Sequence, residues 1–99
     1  MGKRKITVLG AAIIAIAEVA WFIESKGLKQ TAGKFFDDVF DFFEKMSNDQ
    51  LEYRHCVSVR WRDYGYRCIT YKKKYVIAYS SHQQKIIIRY FVSSKLLYN

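Results

Sequence analysis

Residues 6 to 23, ITVLGAAIIAIAEVAWFI, hold one charged side chain, Glu18, and follow the basic start MGKRK. In a chain of 99 residues this run constrains the architecture more than any other feature, because little chain remains to wrap a helix that is apolar nearly all round. Three outcomes are open to it. As a membrane span it would cover roughly 27 Å, slightly short of a hydrocarbon core of about 30 Å. Ile6, Val8, Leu9, Ile13, Ile14, Ile16, Trp21, Phe22 and Ile23 would form the anchor, with Trp21 and Phe22 in an interfacial aromatic belt and Lys3, Arg4, Lys5, Lys26 and Lys29 at the headgroups. As a cleaved signal it offers Ala15-Ile16-Ala17 before Glu18, a small-residue cleavage pattern, but the signal would be only 17 residues long. As a buried helix it needs a larger protein. The expectation is therefore a single-pass anchor over residues 1–26, located in a membrane.

Orientation stays open at this level, since Lys3, Arg4 and Lys5 on one flank are balanced by Lys26, Lys29 and Lys34 on the other. The Met-Gly start does not signal myristoylation, because Ile6 stands where that pattern asks for Ser or Thr. Within the apolar run, Glu18 would cost on the order of 2 to 3 kcal/mol at a bilayer centre unless it reached the interface or met protein. Ala11 and Ala15 precede it by seven and three residues, on the same helical face. Ala11, Ala15 and Glu18 are thus expected to meet a partner helix inside the membrane.

The remainder divides by composition. Residues 1–50 carry seven Lys/Arg against seven Asp/Glu, whereas residues 51–99 carry ten against two, so the net charge of +8 belongs to the second half. All eight Tyr lie there as well, and six of the seven Phe lie in the first half. No proline, repeat or low-complexity tract interrupts the chain, which favours one domain over residues 27–99.

In that domain, Phe35, Phe36, Val39, Phe40, Phe42, Phe43 and Met46 fall within about 160° of a helical wheel, with Asp37, Asp38, Asp41 and Glu44 opposite. The spacing predicts an amphipathic helix over 31–46, capped by Thr31. Its acidic polar face suits a protein sheet better than a bilayer surface. Residues 51–62, LEYRHCVSVRWR, alternate without a break and read as a strand, with Tyr53, Val57, Val59 and Trp61 inward and Arg54, Arg60 and Arg62 outward. Further strands are expected over 66–71, 75–79 and 86–92, turned at Asp63-Tyr64-Gly65, at Lys72-Lys73-Lys74 and over 80–84. The predicted class is α+β: an N-terminal transmembrane helix, then an amphipathic helix packed on an antiparallel meander of about four strands spanning 51–92.

No reaction is legible. His55, Cys56, Cys68 and His82 match no zinc spacing, and a strand over 51–62 would hold Cys56 away from Cys68, leaving two free thiols. There is no phosphate loop and no nucleophile–base set, so neither enzymatic activity nor a cofactor, metal or small-molecule substrate is expected. Arg54, Arg60, Arg62, Arg67, Lys72, Lys73 and Lys74 define a basic binding surface. Its partners would be other protein subunits, anionic lipid or nucleic acid. The primary expectation is a structural or accessory subunit of a membrane complex or an internal-membrane virus particle. The alternative is a basic β-sheet module that tethers nucleic acid to a membrane.

Overall fold

Ile6, Thr7 and Val8 are a β-branched-rich run, and such side chains lose rotamer freedom in a helix but fit a pleated surface. They open the fold as a strand. The computed structural model describes residues 4–48, 56 and 59–94, in which β1 (Lys5–Val8) leads through Leu9 into α1 (Gly10–Ser25). α2 (Lys29–Asn48), a one-and-a-half-turn α3 (Val59–Asp63), β2 (Arg67–Tyr71), β3 (Tyr75–His82) and β4 (Lys85–Ser93) follow. The strands form one mixed sheet in the order β1-β4-β3-β2. β2, β3 and β4 are antiparallel neighbours, and β1 adds to the free edge of β4 in parallel, pairing Ile6 with Ile86 and Val8 with Ile88.

α1 and α2 pack on each other over one face of this sheet. Ala12 and Ile16 of α1, Val39, Phe43 and Met46 of α2, and Ile77, Tyr79, Ile86, Ile88 and Phe91 of the sheet form the core. Phe35 of α2 meets the rings of Tyr75 and Phe91, and Phe42 meets Tyr71, with centroids 5.7, 6.4 and 5.0 Å apart. The acidic side of α2 faces out, where Asp38 pairs with Lys34 at 3.2 Å and with Lys72 at 3.7 Å. Register places Cys68, Ala78 and Tyr90 side by side on the opposite face. α3 lies over that face, with the Trp61 ring stacked on Tyr90 at 5.2 Å and the Cys56–Cys68 disulfide closing the segment onto β2.

Several expectations are corrected. The fold is α+β, but no helix among the described residues is long and apolar enough to cross a membrane. The apolar run is divided: Ile6 and Val8 belong to a strand, Leu9 precedes the helix and donates its N–H to the Ile88 carbonyl at 3.0 Å, and α1 has 16 residues. At 1.5 Å per residue it reaches about 24 Å, and one side of it is committed to the core. Arg4 is no headgroup neighbour either. It is buried, its Nη2 donating to the Met46 carbonyl at 3.2 Å near the C-terminus of α2, where a cation complements the exposed carbonyls.

The meander is corrected too. Its expected first strand contains α3, so Val59 and Trp61 do not face α2, and the fourth strand of the sheet comes from the N-terminus. Residues 51–55, 57 and 58, including Arg54, Tyr53 and Val57, lie outside the described residues. Turning residues 59–63 into a helix shortens the path between the cysteines, and Cys56 bonds to Cys68 where free thiols were expected. The Cys56 N–H donates to the Tyr66 carbonyl at 3.2 Å, which supports the same return.

Candidate docking surface

α1 carries large apolar groups both on the side it buries and on the side it does not, where Glu18 and Glu24 also stand exposed. Ala12 and Ile16 are fully buried, and Ala15 and Val19 pack against the same core. Ile13 and Ile14, a quarter-turn or more away, project outward with Trp21 and Phe22. Ile14 is 62% exposed, Trp21 68%, Phe22 62% and, just past the helix, Leu28 51%. A soluble monomer seldom leaves so many large apolar groups uncovered along one element.

The helix ends frame this face with polar groups. At its C-terminus Lys26 and Gly27 donate N–H groups back to the carbonyls of Ile23 and Glu24, at 3.1 and 2.9 Å, and Gly27 takes φ 81° as a left-handed stop. The Lys26 ammonium stands 5.1 Å from the centroid of the Phe22 ring, and Lys29 begins α2. Lys5 lies before the other end of α1, exposed on β1. Glu18 and Glu24 are exposed.

The residues expected to anchor the chain therefore separate. Ile6, Val8 and Leu9 are half-buried at the sheet edge, Ile16 is in the core and Ile23 is half-buried, while Ile13, Ile14, Trp21 and Phe22 form the outward face. Ala11, Ala15 and Glu18 separate too: Ala11 is exposed, Ala15 packs on the core, and Glu18 lines a groove beside α1 together with Ala15, Val19 and Phe22.

The basic residues divide between two regions. Arg60 and Arg62 are exposed on α3, next to an aromatic group in which Trp61 stacks on Tyr90 and Tyr66 lies 5.4 Å from Tyr64. Arg89 joins this group, its guanidinium 5.4 Å from the Tyr66 centroid while Nε donates to Ser80 Oγ at 3.1 Å. Arg67 starts β2 and is half-buried. Lys72 is engaged with Asp38, and Lys73 and Lys74 line a second pocket with Tyr75, Ser93 and Ser94. Tyr90 and Arg89 escaped notice in the sequence, although a register shift in the β3–β4 pairing falls at them, opposite Ala78 and Tyr79.

Among the described residues no three His, Cys, Asp or Glu side chains converge as metal ligands. His82 is exposed at the end of β3. Burial, with the Asp38 carboxylate adding to it, pushes the Tyr71 phenol above its ordinary value, and the hydroxyl has no hydrogen-bond partner among the described residues. No protein-family model, no curated protein and no solved structure matches this chain.

Proposed function

We propose that this chain is a non-catalytic accessory protein that docks on a membrane surface, with α1 lying in the plane of the interface and its outward face among the headgroups and upper acyl chains. The observation that carries this reading is the set of exposed large apolar side chains Ile13, Ile14, Trp21 and Phe22 on α1 and Leu28 just past it, with Glu18 exposed among them. An interfacial helix buries such a face about 5 to 10 Å deep, and Trp and Phe are favoured at that depth. Lys26 and Lys29 at one end and Lys5 near the other are placed to meet anionic headgroups, each worth about 1 kcal/mol near such a surface. The Cys56–Cys68 bond favours a surface bordering an oxidising compartment.

Flotation with vesicles of neutral and anionic phospholipid tests the proposal. The full chain should float, more strongly with anionic lipid, and Ile14→Asp or Trp21→Asp should abolish flotation while leaving the fold intact, since both side chains are outside the core. A wild-type chain that stays at the bottom of the gradient, or variants that float equally well, would remove the membrane reading and leave these side chains to a protein partner.

A second reading rests on the opposite face. Trp61, Tyr64, Tyr66 and Tyr90 gather beside Arg60, Arg62 and Arg89, the combination of rings and cations that tracks single-stranded nucleic acid. Binding to oligonucleotides that weakens steeply with salt, and that Tyr64→Ala reduces, would support it; no binding at low salt would end it.

A further inference from the structure

We infer that the groove between α1 and the end of the sheet holds the phosphate head and upper chain of a single-chain anionic lipid. This rests on the membrane-surface reading and names the ligand it would select. Two adjoining depressions make the groove. One, of about 560 Å³, is lined by Ala15, Val19 and Phe22 of α1 and by Phe91 and Val92 of β4. The other, of about 340 Å³, is lined by Lys73, Lys74, Ser93 and Ser94. Tyr75 and Ser93 border both, so the two depressions adjoin, one mainly apolar and the other lined by cations. Each volume falls in the range of about 300 to 1,000 Å³ usual for small-ligand sites.

The chemistry of the two depressions fixes the kind of ligand and its direction. Lys73 and Lys74 stand in a tight turn whose backbone holds them in place: the Lys74 N–H donates to the Tyr71 carbonyl at 3.1 Å, and the Ser94 N–H donates to the Lys74 carbonyl at 2.9 Å. Lys73 and Lys74 line this depression together with Ser94, and two cations with a hydroxyl suit a phosphate head. Among the described residues no carboxylate pairs with Lys73 or Lys74, whereas Lys72 is held by Asp38. Glu18 borders the apolar depression and not the lysine-lined one, so its carboxylate would disfavour an anionic head there and favour it beside the lysines. Phe22 belongs both to the groove and to the outward side of α1, so the groove opens beside the face that would touch lipid.

Calorimetric titration of the full chain with decyl phosphate, kept below its micelle concentration, tests the assignment against inorganic phosphate and decanol as separate arms. Decyl phosphate should bind one to one. Lys73→Gln/Lys74→Gln should weaken it by about tenfold or more, and Val19→Trp, which fills the apolar depression, should remove it. Inorganic phosphate and decanol should each bind far more weakly than the molecule that joins them. Equal affinity for inorganic phosphate, equal affinity for decanol, no binding of decyl phosphate, or no loss in the lysine variant would each overturn the groove assignment. Ile14→Asp separates this from the docking reading, because Ile14 is outside the groove: it should lose vesicle flotation and keep decyl phosphate affinity. Flotation of the wild-type chain without decyl phosphate binding defeats the groove alone; decyl phosphate binding without flotation defeats the docking alone.

Discussion

Two residues show what this domain tolerates in order to close its sheet. Lys72 and Lys73 hold φ 52° and 61°, a left-handed conformation that costs a side-chain-bearing residue about 1 to 2 kcal/mol. Lys73→Gly relieves that strain and is opposed by about 0.5 to 1 kcal/mol of extra chain entropy in the unfolded state, so a net gain of about 0.5 to 1 kcal/mol is predicted. Thermal unfolding should shift upward by a few degrees; a fall in the midpoint would show that the lysine side chain stabilises the turn. Tyr71 presents the opposite case, a hydroxyl buried without a partner among the described residues. Tyr71→Phe should be neutral or stabilising at pH 7, since it removes an unpaired polar group. The pH dependence follows from the raised phenol. The unfolded chain gives up this proton near pH 10 while the folded protein retains it, so its contribution is complete below about pH 10 and is lost as pH rises through the higher folded value. Denaturant titrations across this range should show wild type losing stability faster than Tyr71→Phe, and parallel curves would contradict the assignment.

Elements differed in how openly the sequence displayed them. α2 was legible because its phenylalanines and carboxylates take opposite sides of a helix, and the structure gives them those sides over Lys29–Asn48. β3 and β4 were legible in position, since Ile77, Tyr79, Ile86 and Ile88 recur at strand spacing next to turn residues. The break between β1 and α1 was not. A run that is apolar at nearly every position carries no clear period, and only the β-branched Ile6-Thr7-Val8 marks where the strand stops. Residues 59–63 misled in the reverse sense: Val59 and Trp61 continue the alternation of the preceding residues, yet the chain is helical there, and the Cys56–Cys68 tether is compatible with the helix. Closing a loop with a sequence separation of 12 should contribute about 3 kcal/mol by chain entropy. Replacing both cysteines with alanine should lower stability by about that amount and release Trp61 from Tyr90, seen as a change in Trp61 emission in a Trp21→Phe background. Unchanged stability and emission would mean that α3 stays seated by ring stacking alone.

At the level of the whole molecule, the apolar run serves two surfaces at once. Its inner side contributes Ala12 and Ile16 to the core beside α2 and the sheet, and its outer side leaves Ile14, Trp21 and Phe22 exposed. The exposed side of α1 was half legible in the sequence: Trp21 and Phe22 stand beside Lys26 at the end of the apolar run and are exposed, but which side of α1 faces inward depends on the sheet, which no local pattern specifies. The excess positive charge of the second half likewise divides in three dimensions, between the α3 aromatic face and the lysine turn beside α1. The most direct test of the account places a single tryptophan at position 14, as Ile14→Trp with Trp21→Phe and Trp61→Phe, and measures quenching in vesicles by labels at graded depths. An in-plane α1 predicts strong quenching by labels just below the headgroups and little by labels at the bilayer centre. Strongest quenching from the bilayer centre, or none at any depth, would contradict it.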